Sequence, residues 1–282
     1  MLSGIGPADH LRSMEIEPVV NLSGVGKNLQ DHLLVATGFE CTKDVTIHKI
    51  TQPHYKLAAG LKWLITRKGI VSSNIWEMGG QVFGNHKEKY PNLQYHFAAA
   101  YNKYIGRKIV LSQGFLLQCD QLRPKSRGEV MLKSNNPYES PSSFFNYLSH
   151  PHDIKELREA YKKMTEIISQ PAFDEFRGKR ISPSPDINGD NEIDLWIRET
   201  ATSDYHPCGT CKMGEDPEAV VNEKLQVHGF KNLYVVDASV MPDVVSGNLN
   251  APTQMIAERA SDFILDKKQL NPLKANFHFQ NN

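Results

Sequence analysis

The sequence is poor in the features that assign a protein quickly. Only four cysteines occur in 282 residues, too few for the disulfide scaffold of a small secreted domain. Neither sign of charge is in excess, since 32 Lys and Arg face 32 Asp and Glu. A chain without net positive charge lacks the electrostatic footprint of a nucleic-acid binder held by phosphate contacts. No apolar run approaches the ~18 residues that a membrane span needs. The opening stretch, Met1 to Pro7, has no basic region, apolar core or cleavage site, so it does not read as a signal peptide. Internal repeats and low-complexity tracts are missing as well. What remains is the composition of a globular chain with a core, 40% hydrophobic and 23% charged, long enough for about two domains.

Periodicity supplies the coarse organisation. Residues 8–14 are expected to form a short helix and 17–22 a strand, with 32–41 as a second strand. Pro53 suits the first turn of a helix, Leu57, Leu61, Leu64 and Ile65 recur on one face, and Gly69 supplies a stop. From 75 to 133 the signal is strand. Leu93, Tyr95 and Phe97 alternate with Gln94 and His96, and 109–119 and 129–132 continue the pattern, which suggests an antiparallel sheet. Residues 152–169 form the clearest helix. Ile154, Leu157, Tyr161, Met164, Ile167 and Ile168 make its apolar stripe, opposite a charged face expected to be solvated. A further helix over 190–201 turns Ile193 and Trp196 or Ile197 inward. After 204 the character changes. Residues 233–236 read as a strand buried on both faces, a loop runs to Ala251, and Pro252 is expected to open a helix. The tail beyond Lys268 is polar and aperiodic.

Several segments could carry chemistry. Gly4-Ile-Gly6 and Gly24-Val-Gly26 are each two-thirds of a dinucleotide fingerprint, and neither is complete, so each reads as a turn. Cys208-Gly-Thr-Cys211 would need a second ligand pair to hold zinc, and Cys41 and Cys119 are isolated. With Pro207 it matches half of a zinc-deaminase signature, but the only H-x-E, His86-Lys-Glu88, lies too far upstream. No metal is expected. His206, in Tyr205-His-Pro207, is either structural or functional. The turn-rich stretch around it favours function, as does the segment Ser246-Gly-Asn248-Leu-Asn250-Ala-Pro252-Thr253. Small residues there allow close backbone approach to a ligand, and a helix N-terminus that follows favours negative charge. Trp76-Glu77 is either an exposed edge pair or an aromatic face beside a carboxylate, the combination that holds a quaternary ammonium group.

Together these segments resemble one family, the glucose–methanol–choline (GMC) oxidoreductases. The carrying residues are Leu2-Ser-Gly-Ile-Gly-Pro7, Gly24-Val-Gly-Lys-Asn-Leu-Gln-Asp-His32, Tyr205-His-Pro-Cys-Gly-Thr-Cys-Lys-Met213, Val236-Asp-Ala-Ser-Val-Met-Pro242 and Ser246 to Thr253. Their order and spacing match the C-terminal half of the family. The wording around Phe145-Asn-Tyr147, Gln170-Pro-Ala-Phe173 and Trp76-Glu77-Met-Gly79 is most similar to its choline-oxidising members.

The resemblance implies a mixed α/β (α+β) fold, part of a Rossmann-like FAD domain plus a substrate domain whose antiparallel sheet is flanked by helices. Residues 1–35 and 203–268 would belong with the FAD domain, 36–202 would be the substrate domain and 269–282 a tail. It implies FAD as cofactor and a choline-like alcohol as substrate, oxidised to betaine aldehyde by proton removal at His206 and hydride transfer to flavin. Asn248 would be the second active-site residue, Glu77 and Trp76 would bind the substrate cation, and Asp237, Ala238, Asn250 and Pro252 would meet the flavin. The acceptor would be a quinone, and the location cytoplasmic or peripheral to a membrane (the mitochondrial inner membrane in a eukaryote). The family's nucleotide-binding βαβ unit has no counterpart in these residues. The expectation is therefore a fragment, or half of an enzyme that needs an N-terminal FAD-binding partner.

Overall fold

The computed structural model describes residues 1–273 apart from Glu77, His86, Gly106, Arg107, Pro185, Asp186 and Asn188. In chain order the helices are α1 (Ala8–Ser13), α2 (Pro53–Thr66), α3 (Pro151–Ile168), α4 (Asp190–Thr200) and α5 (Asn250–Ile264). The strands are β1 (Ile5–Gly6), β2 (Val20–Asn21), β3 (Leu33–Cys41), β4 (Met78–Val82), β5 (Leu93–Ala98), β6 (Tyr101–Ile105), β7 (Lys108–Ser112), β8 (Gly114–Gln121), β9 (Glu129–Met131), β10 (Ser142–Phe144), β11 (Arg177–Ser182) and β12 (Thr202–Ser203). The chain divides into two units. The first comprises Met1–Leu33, Leu122–Asp153 and the chain from Ser203 onward, the second Leu34–Gln121 and Ile154–Thr202.

The second unit is built on a sheet ordered β11-β3-β8-β5-β4, every neighbouring pair antiparallel. Register places Phe39, Phe115 and Phe97 on one face, where their rings stack at 5.6 and 5.7 Å. α3 covers that face, and the Tyr95 hydroxyl donates to the Ala160 carbonyl at 3.2 Å. Ile154, Leu157, Ala160, Tyr161, Met164 and Ile168 are all buried. Three-and-four spacing puts them on one stripe, and each large apolar side chain so buried contributes roughly 1.5–3 kcal/mol. The expected mixed fold with an antiparallel sheet flanked by helices is what the chain adopts.

Particular expectations give way. The charged face of α3 is not simply solvated. Arg158 makes a bidentate bond to Asp194 of α4 at 2.6 and 2.5 Å, and Glu156 is buried, accepting from Asn92 and from Gln121. Long polar side chains satisfy one another across packed elements, which periodicity alone cannot show. α2 begins at Pro53 as expected, but its left-handed cap is Arg67 rather than Gly69, and none of its residues is buried. Residues 233–236 form no strand. They are held by Val227 N to Leu233 O at 2.8 Å and Val235 N to Leu225 O at 3.1 Å, a single antiparallel bridge between Gln226 and Tyr234 rather than a strand of a ladder.

The first unit has little regular structure and is joined by backbone bonds between remote loops. Its core gathers Val25, Val220, Val221, Leu225, Val227, Val240 and Ala260. Residues 122–153 belong here, which interrupts the substrate span expected over 36–202. Gly128 exchanges both backbone bonds with Leu29 at 2.9 Å, Val130 N bonds Gly26 O at 2.7 Å, and the buried Asp153 carboxylate accepts from Lys125 N and Ser126 N at 2.8 Å. A carboxylate taking two backbone N–H groups binds its segment firmly.

Candidate active site

The local construction of the first unit starts at Asn28-Leu-Gln-Asp-His32. Asn28 is left-handed at φ +62°, and from Leu29 on an extended backbone turns alternate side chains to opposite sides. Asn28 Nδ2 donates to Pro242 O at 3.0 Å, Gln30 Nε2 donates to Pro242 O at 2.9 Å, and Gln30 Oε1 accepts from Val244 N at 3.1 Å. His32 Nε2 meets Val245 O at 3.0 Å. These three side chains fix the loop that leads into Asn248. Asp31 points the other way. One of its oxygens accepts from His206 N at 2.8 Å, and the other from Ser203 Oγ and Tyr147 OH, both at 2.5 Å. Gln30 and Cys208 exchange backbone bonds at 2.9 and 3.1 Å, and Asp204 N bonds His32 O at 2.9 Å. Close approach is required here. A Cβ on Gly209, at φ +92°, would lie 2.4 Å from Asn28 O, a contact that only glycine avoids.

These two anchored loops bring His206 and Asn248 together. Asn248 Nδ2 lies 2.9 Å from His206 Nε2, and Asp204 Oδ2 lies 3.4 Å from the same nitrogen. The two neighbours suit different protonation states. As oriented, the amide donates to a neutral imidazole, whereas the carboxylate pairs with an imidazolium. His32 stands edge-on to His206, ring centroids 5.4 Å apart. Burial, with the nearby His206 second, lowers its pKa to about 4. His32 therefore stays neutral near pH 7. Burial, reinforced by the bond to Asp31, raises the Tyr147 pKa, so its phenol remains a donor.

The proposed flavin contacts fall in two places. Asp237 and Ala238 line a cavity of about 400 Å³ with Pro207, Cys208, Thr210 and Ser239. Asp237 caps its own turn, accepting from Ser239 N at 2.8 Å. Asn250 and Pro252 lie in the first turn of α5, which starts at Asn250, two residues before the expected opening. Thr253 N closes that turn on Leu249 O at 2.9 Å, and Pro252, which has no N–H, needs no partner there. Leu249 packs with Cys208, Met241 and Val244, so α5 starts on the same small core that holds the His206 loop. Burial pushes the Cys208 thiol up to about 12 and raises that of Cys211 too. Buried, protonated thiols are the opposite of the thiolates that zinc or redox exchange needs.

In the second unit, Trp76 is half exposed and lies edge-on to His96 with centroids 6.1 Å apart. His96 Nε2 is 3.0 Å from the fully buried Asp120 carboxylate and 2.8 Å from Gln94 Nε2. Glu77 lies outside the described residues. Sequence reasoning treated His96 only as a polar position of an alternating strand, and it missed Asp120. It also missed the work of Asn28, Gln30, Asp31, His32 and Tyr147, although all five stand inside segments it quoted. The usable signal was the run of amide, carboxylate and imidazole side chains in a short loop, too polar for a plain turn.

Residues 124–257 match the sequence profile of the family described as GMC oxidoreductase. The chain is 42% identical over 281 residues to oxygen-dependent choline dehydrogenase 1 of Chromohalobacter salexigens, covering 99% of this chain and 50% of that protein. It is 43% identical over 276 residues to the oxygen-dependent choline dehydrogenase of Vibrio vulnificus, covering 97% and 49%. Among solved structures, pyridoxine 4-oxidase from Mesorbium loti superposes with TM-score 0.79 at 25% identity, over 95% of this chain and 49% of that one. A formate oxidase superposes with TM-score 0.84 at 23% identity, over 94% and 51%, which speaks to the fold alone. The chain thus spans about half the length of the relatives it matches.

The site predicts a stability change with pH. The folded pKa of His32, about 4, lies below the ordinary imidazole value of 6.5, so between those values the unfolded state binds more protons. Stability is whole above about pH 6.5 and is lost as pH falls through about 4, by on the order of 3 kcal/mol. Urea unfolding at pH 7 and pH 4 should show that loss in the native chain, and a smaller one in His32→Gln. Equal losses in both would assign the acid sensitivity elsewhere.

Proposed function

Because the chain belongs to the GMC oxidoreductases, we propose that it is the C-terminal part of an FAD-dependent oxidoreductase that oxidises choline to betaine aldehyde. The observation that carries the reading is the pairing of His206 Nε2 with Asn248 Nδ2 at 2.9 Å. Both residues lie inside the family-matched span, on loops held by Asn28 to His32.

The family's cofactor fits the residues at hand in part. A cavity of about 400 Å³ is bordered by Leu29, Val130, Phe145 and Ala238 and also by Ser143, Thr210, Asp237 and Ser239, which suits a flat ring with an apolar face and a hydrogen-bonding edge. Asp237 and Ala238 would hold that ring or its ribityl chain, with Asn250 and Pro252 at the first turn of α5 as further contacts. The N-terminal dipole of α5 would favour negative charge there. The chain has no complete glycine fingerprint for the nucleotide end, so that end is assigned to residues N-terminal to this half. The chemistry FAD supplies when bound is acceptance of hydride from the carbinol carbon.

This chain's own residues manage the proton. His206 Nε2 takes the hydroxyl proton of the alcohol, a task suited to an imidazole near neutral pH. The Asn248 amide donates to the oxygen as negative charge grows on it. Asp204 pairs with the imidazolium once the proton has moved. His32, held neutral by burial, does not compete for that proton. Asp31 touches no substrate. It is a positioning residue, aiming His206 through its backbone N–H. Glu77 and Trp76 would hold the trimethylammonium group, which offers no N–H and so is bound by charge and by an aromatic face. The acceptor is proposed to be a quinone. The relatives above carry oxygen dependence in their names, and stoichiometric consumption of dioxygen with no quinone reduction would replace that part of the reading.

Two variants test the proposal in flavin-loaded enzyme. His206→Ala should lower kcat on the order of 100-fold or more while flavin stays bound, and unchanged turnover would remove His206 from its role. Glu77→Gln should raise KM for choline about tenfold or more and leave KM for a neutral alcohol of similar size unchanged. An equal rise for both would make Glu77 structural and the substrate some other alcohol.

A further inference from the structure

Three side chains able to bind a metal meet in the first unit. His32 is buried, Asp204 and His206 are half-buried, and one nitrogen or oxygen of each lies within 4.8 Å of those of the other two. The distances fit one small ion. Zinc holds imidazole and carboxylate at about 2.0–2.2 Å in a tetrahedral shell, which sets neighbouring ligand atoms ~3.3 Å apart and the centres of two bound imidazoles ~5.2 Å apart. Here Asp204 Oδ2 lies 3.4 Å from His206 Nε2, and the His32 and His206 ring centroids are 5.4 Å apart.

The surroundings hold these groups as the outer shell of a metal site does. His32 Nε2 meets Val245 O at 3.0 Å. A neutral ring that gives its Nε2–H to a carbonyl keeps its lone pair on Nδ1. Asp204 N donates to His32 O at 2.9 Å, and His206 N donates to Asp31 at 2.8 Å. The three groups therefore stand on loops already tied to one another. Two imidazoles and one carboxylate suit zinc and ions like it, whereas magnesium and calcium favour oxygen alone. Three protein ligands leave a fourth position, beside the Asn248 amide that lies 2.9 Å from His206 Nε2. Sequence reasoning expected no metal because it sought closely spaced cysteines. This set comes from two loops distant in sequence, so it leaves no short motif.

We propose that His32, Asp204 and His206 form a binding site for one divalent ion of the zinc class. On the catalytic reading above, on which this consequence rests, the ion is a reversible inhibitor. It occupies Nε2 of His206, the atom that takes the proton of the alcohol.

Calorimetric titration of the full chain with zinc chloride tests the site. About one equivalent should bind and be withdrawn by EDTA, and magnesium chloride should give no binding heat. Cobalt chloride should give the visible absorption bands of a four-coordinate ion. His32→Gln and Asp204→Asn should each weaken zinc binding at least about tenfold and remove the cobalt bands. Urea unfolding shows that each variant is folded. Asp204→Asn keeps the shape of its side chain, so it carries the test if His32→Gln does not fold. In flavin-loaded enzyme, zinc should inhibit choline oxidation, and Asp204→Asn should need at least about tenfold more zinc for the same inhibition. No zinc binding overturns the site, as does binding that the variants leave unchanged. Zinc that binds as expected but leaves choline oxidation undiminished upholds the site and contradicts the role of His206 instead.

Discussion

The buried carboxylate of Asp31 is the constraint on which the candidate site depends. It accepts from the His206 backbone N–H, from the Ser203 hydroxyl and from the Tyr147 phenol. A buried charge is costly unless its lone pairs are taken up, and here three donors come from two segments far apart in sequence, Tyr147 and the stretch from Ser203 to His206. Meeting the needs of one carboxylate thus draws together the loop at 28–32, the excursion at 122–153 and the return at 203–208. The opposite sides of the same short segment, through Asn28, Gln30 and His32, hold the loop that ends in Asn248. Five consecutive residues set the distance between the loops that carry the two proposed catalytic residues.

That economy explains why so irregular a unit can hold a defined geometry. Helices and ladders contribute little around His206. Backbone exchange between Gln30 and Cys208, and glycine at 209 where no Cβ fits, supply the rigidity instead. His206 then sits between an amide suited to its neutral form and a carboxylate suited to its charged form. A base flanked in this way can take up a proton without moving, which is what preorganised acid–base chemistry requires. The neighbouring His32 is kept out of the exchange by burial.

Much of the second unit was legible because its elements obey simple periods. The alternation of Leu93, Tyr95 and Phe97 is a strand, and the stripe from Ile154 to Ile168 is the helix that covers it. The same reasoning gave the helix at α2, whose regular apolar face nonetheless looks outward. Periodicity reports that a face is apolar, and it is silent on what lies against it. It failed at 233–236, where an apolar run makes one antiparallel bridge to 225–227 instead of a doubly buried strand. In the site, His206 and Asn248 were singled out as proposed catalytic residues through motif wording, and so was the family resemblance. Asp31 and Tyr147 were not, because a residue that acts by holding another's backbone leaves no chemical signature of its own. The excursion of 122–153 into the first unit was hidden for a similar reason, since it rests on backbone bonds that every residue type can make.

The most direct test is the visible spectrum of the purified chain after incubation with FAD and removal of free flavin, followed by anaerobic addition of choline. Flavin that stays bound should lose its oxidised absorption band on addition of choline. Loss of all flavin from a folded chain would place tight binding with the residues that carry the nucleotide end, as the incomplete glycine fingerprint implies. Retained flavin that choline leaves oxidised would contradict the role given to His206 and Asn248.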